Sequence, residues 1–92
     1  MMSESKYDVC VIGLGYVGLT LSTVLSEVGL KVIGVEKRQS VVDLAQRGVP
    51  HFSESGLGEA LGRVTGAGRF VAVTELPAGI DCDTYIITVG TP

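Results

Sequence analysis

Apolar positions along the chain alternate between two rhythms. Tyr7–Ile12 is a nearly continuous apolar run, broken by Asp8 and rich in Val and Ile. Such a run predicts a central parallel strand buried on both faces. Beyond it, Leu14, Val17, Leu21, Val24, Leu25 and Val28 recur at helical spacing and predict an amphipathic helix over Tyr16–Val28, stopped by Gly29. Lys31–Glu36 reads as a second strand. Ser40 followed by Asp43 resembles a capping box, with Asp in place of the usual Glu or Gln. The helix it would open has Val41, Val42, Leu44 and Ala45 on one side and ends at Gly48 and Pro50. After a loop through Ser55, Leu57, Ala60, Leu61 and Val64 mark a short third helix, and Thr65–Arg69 a glycine-containing turn. Phe70–Val73 reads as the third strand, Pro77–Gly79 as a break, and Thr84–Val89 as a fourth strand leading into Gly90-Thr91-Pro92.

Strands alternating with helices predict an α/β domain: a parallel sheet with flanking helices and right-handed crossovers, the first, mononucleotide-binding half of a Rossmann-type fold. No linker, repeat or low-complexity stretch divides residues 1–92, so one domain is expected. A strand end is where α/β domains bind ligands. The chain is therefore expected to be the N-terminal piece of a longer protein whose substrate domain lies beyond it.

Composition narrows the classes. The chain is 46% hydrophobic and 18% charged, which fits a globular domain. Its net charge is −3 and its seven Lys and Arg residues are scattered, which argues against nucleic acid as a partner. Cys10, Cys82 and His51 cannot be assembled into a metal site by spacing, and the two cysteines suggest a reducing, cytoplasmic setting. No charged residue occurs from Val9 to Ser26, a stretch that could pass for a membrane span. Three glycines, the change of rhythm, and Lys6 placed between Glu4 and Asp8 argue against a membrane or signal segment.

The chemistry concentrates in VCVIGLGYVG, Val9–Gly18. Glycines at Gly13, Gly15 and Gly18 follow a strand and open a helix, and a second strand then ends at Glu36. Glu36 comes 23 residues after Gly13 and 18 after Gly18, where the acid of a dinucleotide fingerprint is expected about 20 residues on. In such a fingerprint Gly13 permits the tight turn, Gly15 lets the backbone approach a pyrophosphate, and Gly18 lets helix and strand pack closely. The amides of Leu14, Gly15, Tyr16 and Val17, with the helix dipole, are then expected to face the phosphates. Glu36 is expected to accept hydrogen bonds from the adenosine ribose. Its carboxylate would repel a 2′-phosphate and favours NAD over NADP, while Lys37 and Arg38 leave some room for phosphate. The alternative is a plain tight turn with a solvated acid at the strand end, and it needs all these features to coincide by chance.

These residues resemble the N-terminal NAD-binding domain of the UDP-glucose/GDP-mannose dehydrogenase family. VIGLGYVGLTLS at Val11–Ser22 is similar to the family's opening, and GVEKRQSVVDLAQRG at Gly34–Gly48 to its second strand, ribose acid and second helix. HFSESGLGEAL at His51–Leu61 resembles its Glu-x-Gly-Leu segment, with Ser55 where Pro is common. GRFVAVTEL at Gly68–Leu76 and DTYIITVGTP at Asp83–Pro92 resemble its third-strand region and its strand ending in Thr-Pro. The resemblance implies a nucleotide-sugar 6-dehydrogenase acting in polysaccharide biosynthesis. Such an enzyme oxidises the sugar C6 alcohol to a carboxylate with two NAD, through a thiohemiacetal on a catalytic cysteine, and a homo-oligomer is expected of the full-length protein. The catalytic groups lie beyond the matched region, so no catalytic residue is expected here, and Cys10 and Cys82 are not the catalytic cysteine. The resemblance brings Thr74 and Thr91 toward the cofactor. It departs at Val41, where the family often has Lys or Arg, and at Gly90, where Pro or Asn is more usual; Lys37 or Arg38 is the candidate substitute for the former.

Two other functions fit the same glycine turn: a non-catalytic dinucleotide-binding regulatory module and another dehydrogenase family. The His51–Leu61 segment speaks against the latter. His51 and Glu54 could form an acid–base pair, but a loop beneath the third helix, with Glu54 capping it, is the simpler expectation. Tyr16 could cover the pyrophosphate or pack on a neighbour, and the sequence does not decide between them.

Overall fold

The computed structural model describes residues 6–88. In chain order the elements are β1 (Lys6–Ile12), α1 (Tyr16–Glu27), β2 (Val32–Val35), α2 (Gln39–Gln46), α3 (Leu57–Gly66), β3 (Phe70–Val73) and β4 (Asp81–Ile87). All strand pairs are parallel, in the order β3-β2-β1-β4. β1 is therefore central, with Val9 opposite both Val32 and Thr84. The continuous apolar run of β1 follows from that position: Val9 and Val11 face one core cluster and Cys10 and Ile12 the other. Asp8, the exception in the run, ties β2 to β1, because its carboxylate accepts from Lys31 N at 2.8 Å while its own amide donates to Lys31 O.

The first cluster joins Leu19 of α1, Val41, Val42 and Ala45 of α2, and Leu61 and Val64 of α3 to Val9, Val11, Val32, Phe70 and Ala72 of the sheet. The second, on the other face, contains no helix residue and is closed by Leu76 and Ile80 from the segment between β3 and β4. The outer edge of β3 is blunted where Gln46 Oε1 accepts from Ala72 N at 2.9 Å.

Three sequence expectations need correction. α2 begins two residues early, at Gln39, with Arg38 rather than Ser40 as its N-cap and no side-chain cap. Asp43 instead accepts from Gln39 Nε2, a pairing of residues one helical turn apart that leaves Ser40 inside the helix. β4 starts at Asp81 rather than Thr84, because Lys6 at the start of β1 reaches both Asp81 and Asp83 and lets charged residues open the strand. Val89 lies outside the described residues.

The largest difference concerns α1. It buries Gly18, Leu19, Ser22, Thr23 and Ser26, whereas Val17, Val24 and Val28 are exposed. A Cβ on Gly18 would lie 1.8 Å from Gly13 O, so the helix rests almost directly on the turn below it. At position 18 only glycine fits at that separation, while Leu19 beside it packs into the helix-side core. The buried hydroxyls of Thr23 and Ser26 donate to Leu19 O and Ser22 O within the helix, so their burial leaves neither unpaired.

Candidate functional site

The turn after β1 is held from three sides. Gly13 has φ +98°, a left-handed conformation that glycine adopts without a Cβ penalty. Its amide donates to Val35 O at 2.8 Å, and its carbonyl accepts from Thr88 Oγ1 at 2.7 Å. Gly18 closes the turn from above, as its contact with Gly13 requires. Gly15 differs from both. It is the N-cap of α1 with φ −75°, and a Cβ built on it would meet nothing within 4 Å. The fold has no steric need for glycine there. α1 carries no side-chain cap and no acid in its first turn, so its first amides are left open to an external acceptor.

Beside this turn lies a cavity of about 520 Å³. Of the residues expected at a cofactor site it gathers Gly13, Gly15, Glu36, Lys37, Arg38 and Thr74. It adds five that were not expected at a cofactor site: Ile12, Val35, Glu75, Leu76 and Thr88. Thr88 could have been found, since it follows β4 at the C-terminal ends of the strands, where α/β sheets hold ligands. Thr91 lies outside the described residues.

Leu14, Tyr16 and Val17 do not line the cavity. Leu14 is fully buried in the helix-side core. Its amide, expected to be free for phosphate, donates instead to Glu36 Oε1 at 2.9 Å. The hydrogen bond joins the glycine turn to the end of β2. Glu36 Oε2 accepts from Arg38 Nε at 2.7 Å and Arg38 N at 3.1 Å. Glu36 is therefore no solvated strand end; it is 8% exposed. Burial alone would raise its pKa, but the bonds from Arg38 and Leu14 and the Arg38 charge outweigh this and hold it at about 2.

Tyr16 packs on a neighbour. Its ring lies 5.2 Å from that of Phe52, and its hydroxyl donates to Glu54 Oε1 at 3.2 Å. Phe52 in turn meets His51 edge to face at 4.9 Å. Glu54 thus does not cap α3 with its side chain: the cap is Gly56, in a left-handed conformation, and the Glu54 carbonyl accepts from Leu57 N. Nor does Glu54 pair with His51. Burial, with the Arg38 charge, lowers the His51 pKa and keeps the ring neutral at pH 7. Among the described residues, no group of three or more His, Cys, Asp or Glu side chains could hold a metal, and no helix is long and apolar enough to cross a membrane.

The profile of the UDP-glucose/GDP-mannose dehydrogenase family, NAD binding domain, matches residues 7–92. The chain belongs to this family. A UDP-N-acetyl-D-mannosamine dehydrogenase from Campylobacter jejuni is 40% identical over 84 residues, which are 91% of this chain and 20% of that protein. A GDP-mannose 6-dehydrogenase from Pseudomonas aeruginosa is 36% identical over 85 residues, again 91% of this chain and 20% of that protein. The crystal structure of a ternary complex of GDP-mannose dehydrogenase from P. aeruginosa superposes with a TM-score of 0.86 at 35% identity, covering 91% of this chain and 20% of the other. A UDP-N-acetyl-mannosamine dehydrogenase from S. aureus superposes with a TM-score of 0.84 at 35% identity, covering 92% of this chain and 20% of the other. The chain thus spans about one fifth of the length of the relatives it matches. It is an NAD-binding domain of the nucleotide-sugar dehydrogenases, with the Rossmann-type sheet of that family, and its cofactor is NAD.

The residues present fit that cofactor. The Gly15 notch is open where a side chain would intrude, the helix N-terminus is uncapped, and the cavity has a buried carboxylate at the end of β2.

Proposed function

We propose that this domain serves a nucleotide-sugar 6-dehydrogenase that oxidises the C6 alcohol of a UDP- or GDP-sugar to a carboxylate. The balanced change removes two hydrides, one to each of two NAD, takes up one water and releases three protons. In this reading the diphosphate lies over the amides of Gly15, Tyr16 and Val17, and Glu36 accepts from the adenosine ribose hydroxyls. Lys37 and Arg38 flank that ribose. Thr74, on the cavity wall, lies along the path toward the nicotinamide, and the resemblance assigns Thr91 to the same cofactor. NAD supplies the hydride acceptor, and this chain binds and orients it. The sugar nucleotide is bound mainly by other parts of a longer, homo-oligomeric, cytoplasmic enzyme, so residues 1–92 alone turn over no substrate.

The observation that carries the reading is the contrast between two glycines. Gly18 is demanded by the protein's own packing, whereas Gly15 faces open space at the mouth of the cavity. Glycine at a position with no internal constraint is what a close-approaching diphosphate requires. Calorimetric titration of NAD into the wild-type chain and Gly15→Val tests this. The account expects wild type to bind and Gly15→Val to bind at least about tenfold more weakly, since the isopropyl group would occupy the phosphate position. Equal binding by the two would remove the diphosphate from this turn.

A further inference from the structure

Glu36 is fastened more heavily than a ribose acceptor needs to be. Oε1 takes the Leu14 amide, and Oε2 takes both the main-chain N and the side-chain Nε of Arg38. Three protein donors on two oxygens leave about one accepting site for a ribose hydroxyl, because an ionised carboxylate offers about four lone-pair sites. The two ends of the ion pair sit differently. The Glu36 side chain is 9% exposed and the Arg38 side chain 57%. The carboxylate is thus embedded in the turn, and the guanidinium lies over it at the rim of the same cavity, next to Lys37. Arg38 can occupy this place because it is the N-cap of α2, with extended backbone at φ −80° and ψ 110°, immediately before the helix turns away. Val41, one turn into α2, is buried in the helix-side core and reaches no part of this pair.

We propose that Arg38 is a positioning residue for the ribose acid: it fixes the Glu36 carboxylate for a ribose hydroxyl, and because its own charge is cancelled in doing so it adds no tolerance of a 2′-phosphate. An arginine two residues after the ribose acid would ordinarily suggest tolerance of NADP. Here the guanidinium and the carboxylate form a locally neutral pair, so a 2′-phosphate approaching the ribose site gains no net attraction from Arg38. Removing the Glu36 charge while keeping Arg38 uncovers the cation and turns the same pocket toward NADP. This inference rests on the dinucleotide-binding reading given above.

The test is a double-mutant cycle on the 92-residue chain, with NAD and NADP titrated separately into wild type, Arg38→Ala, Glu36→Gln, the double variant and Arg38→Lys. A thermal melt of each shows that it is folded. Arg38→Ala is expected to weaken NAD about fivefold in the wild-type background, as loss of a charge-assisted hydrogen bond to the acceptor would. In the Glu36→Gln background the same change is expected to alter NAD affinity by less than about twofold, because its effect passes through the carboxylate. Glu36→Gln is expected to raise the NADP-to-NAD affinity ratio by at least about tenfold, and adding Arg38→Ala to remove that gain. Arg38→Lys is expected not to restore NAD affinity, since an ammonium lacks the directed Nε–H. Arg38→Ala that leaves NAD affinity unchanged, or that weakens NAD equally in both backgrounds, overturns the proposal. A wild-type chain that binds no NAD, or binds it as well with Gly15→Val, brings down the underlying reading instead.

Discussion

Gly18→Ala separates what the fold demands from what the ligand demands. A Cβ at position 18 would lie 1.8 Å from Gly13 O, 2.9 Å from Gly13 C and 2.5 Å from Thr88 Oγ1. Carbon and carbonyl oxygen ordinarily come no closer than about 3.3 Å, so the helix must retreat from the turn by about 1.5 Å. Two of the three obstructing atoms are backbone and have no rotamer to give way. The retreat would also strain the 2.7 Å bond from Thr88 Oγ1 to Gly13 O and open space beneath Leu19 and Ser22. Such overpacking costs up to about 3 kcal/mol, against a helix-propensity gain of about 1 kcal/mol for Ala over Gly. The steric term wins and leaves a net loss of about 2 kcal/mol. At about 4–8 °C per kcal/mol for a domain of this size, the melting temperature falls by about 8–16 °C. Gly15→Ala is the control, because nothing lies within 4 Å of its new methyl group and φ −75° suits any residue. Its stability is expected to stay within about 0.5 kcal/mol of wild type. Circular-dichroism melts of the three proteins read the difference. Gly18→Ala melting with wild type, or Gly15→Ala falling as far as Gly18→Ala, would refute the assignment of their separate roles.

Acid titration should reveal the Glu36 clamp. Its pKa is lowered from 4.5 to about 2 in the fold, so the unfolded chain binds more protons there than the native one. The stabilisation is therefore complete above about pH 4.5 and lost as pH falls toward 2, on the order of 3 kcal/mol. Urea midpoints across that window should fall for wild type and run flatter for Glu36→Gln; parallel curves would remove the carboxylate from this role. Gly34→Ala would bring a Cβ to 2.8 Å from Leu14 Cδ2 and 2.9 Å from Cδ1, and Leu14 is fully buried. That change should cost about 1–3 kcal/mol, and Leu14→Ala about 2–5 kcal/mol. Because the added methyl occupies part of the vacated space, the double variant should be more stable than the sum of the single losses by at least about 1 kcal/mol; simple additivity in urea unfolding would refute the contact. Lys6→Ala breaks two exposed ion pairs, so the melting temperature should hardly move and any difference from wild type should vanish in high salt.

Strands and the order of elements were legible because the sheet is parallel and β1 is central: a run such as Tyr7–Ile12 has few other uses. The glycine turn and Glu36 were legible for a similar reason, since their spacing is set by one strand–helix–strand unit. The inward face of α1 was not. Its valines lie at helical spacing, yet the side meeting the sheet is Gly18, Leu19, Ser22, Thr23 and Ser26. Hydrophobic periodicity reports how apolar a face is, whereas the Gly13–Gly18 approach selects for how small it is. The partners of Glu36 were hidden for another reason. Local spacing shows a carboxylate near Lys37 and Arg38, but its bond to Leu14 N spans 22 residues and exists only once β1 and β2 pair. Tyr16 and Glu54, 38 residues apart, meet in the same way, through tertiary packing that no local pattern encodes. Replacement of a capping box by an uncapped start at Gln39 follows from Arg38 being drawn back onto Glu36.

A crystal structure of the chain soaked with NAD tests the central claim most directly. The account predicts the adenosine ribose hydroxyls on Glu36 and the diphosphate on the main-chain amides beginning at Gly15. Adenosine bound away from the end of β2, or a diphosphate that avoids the Gly15 notch, would contradict it.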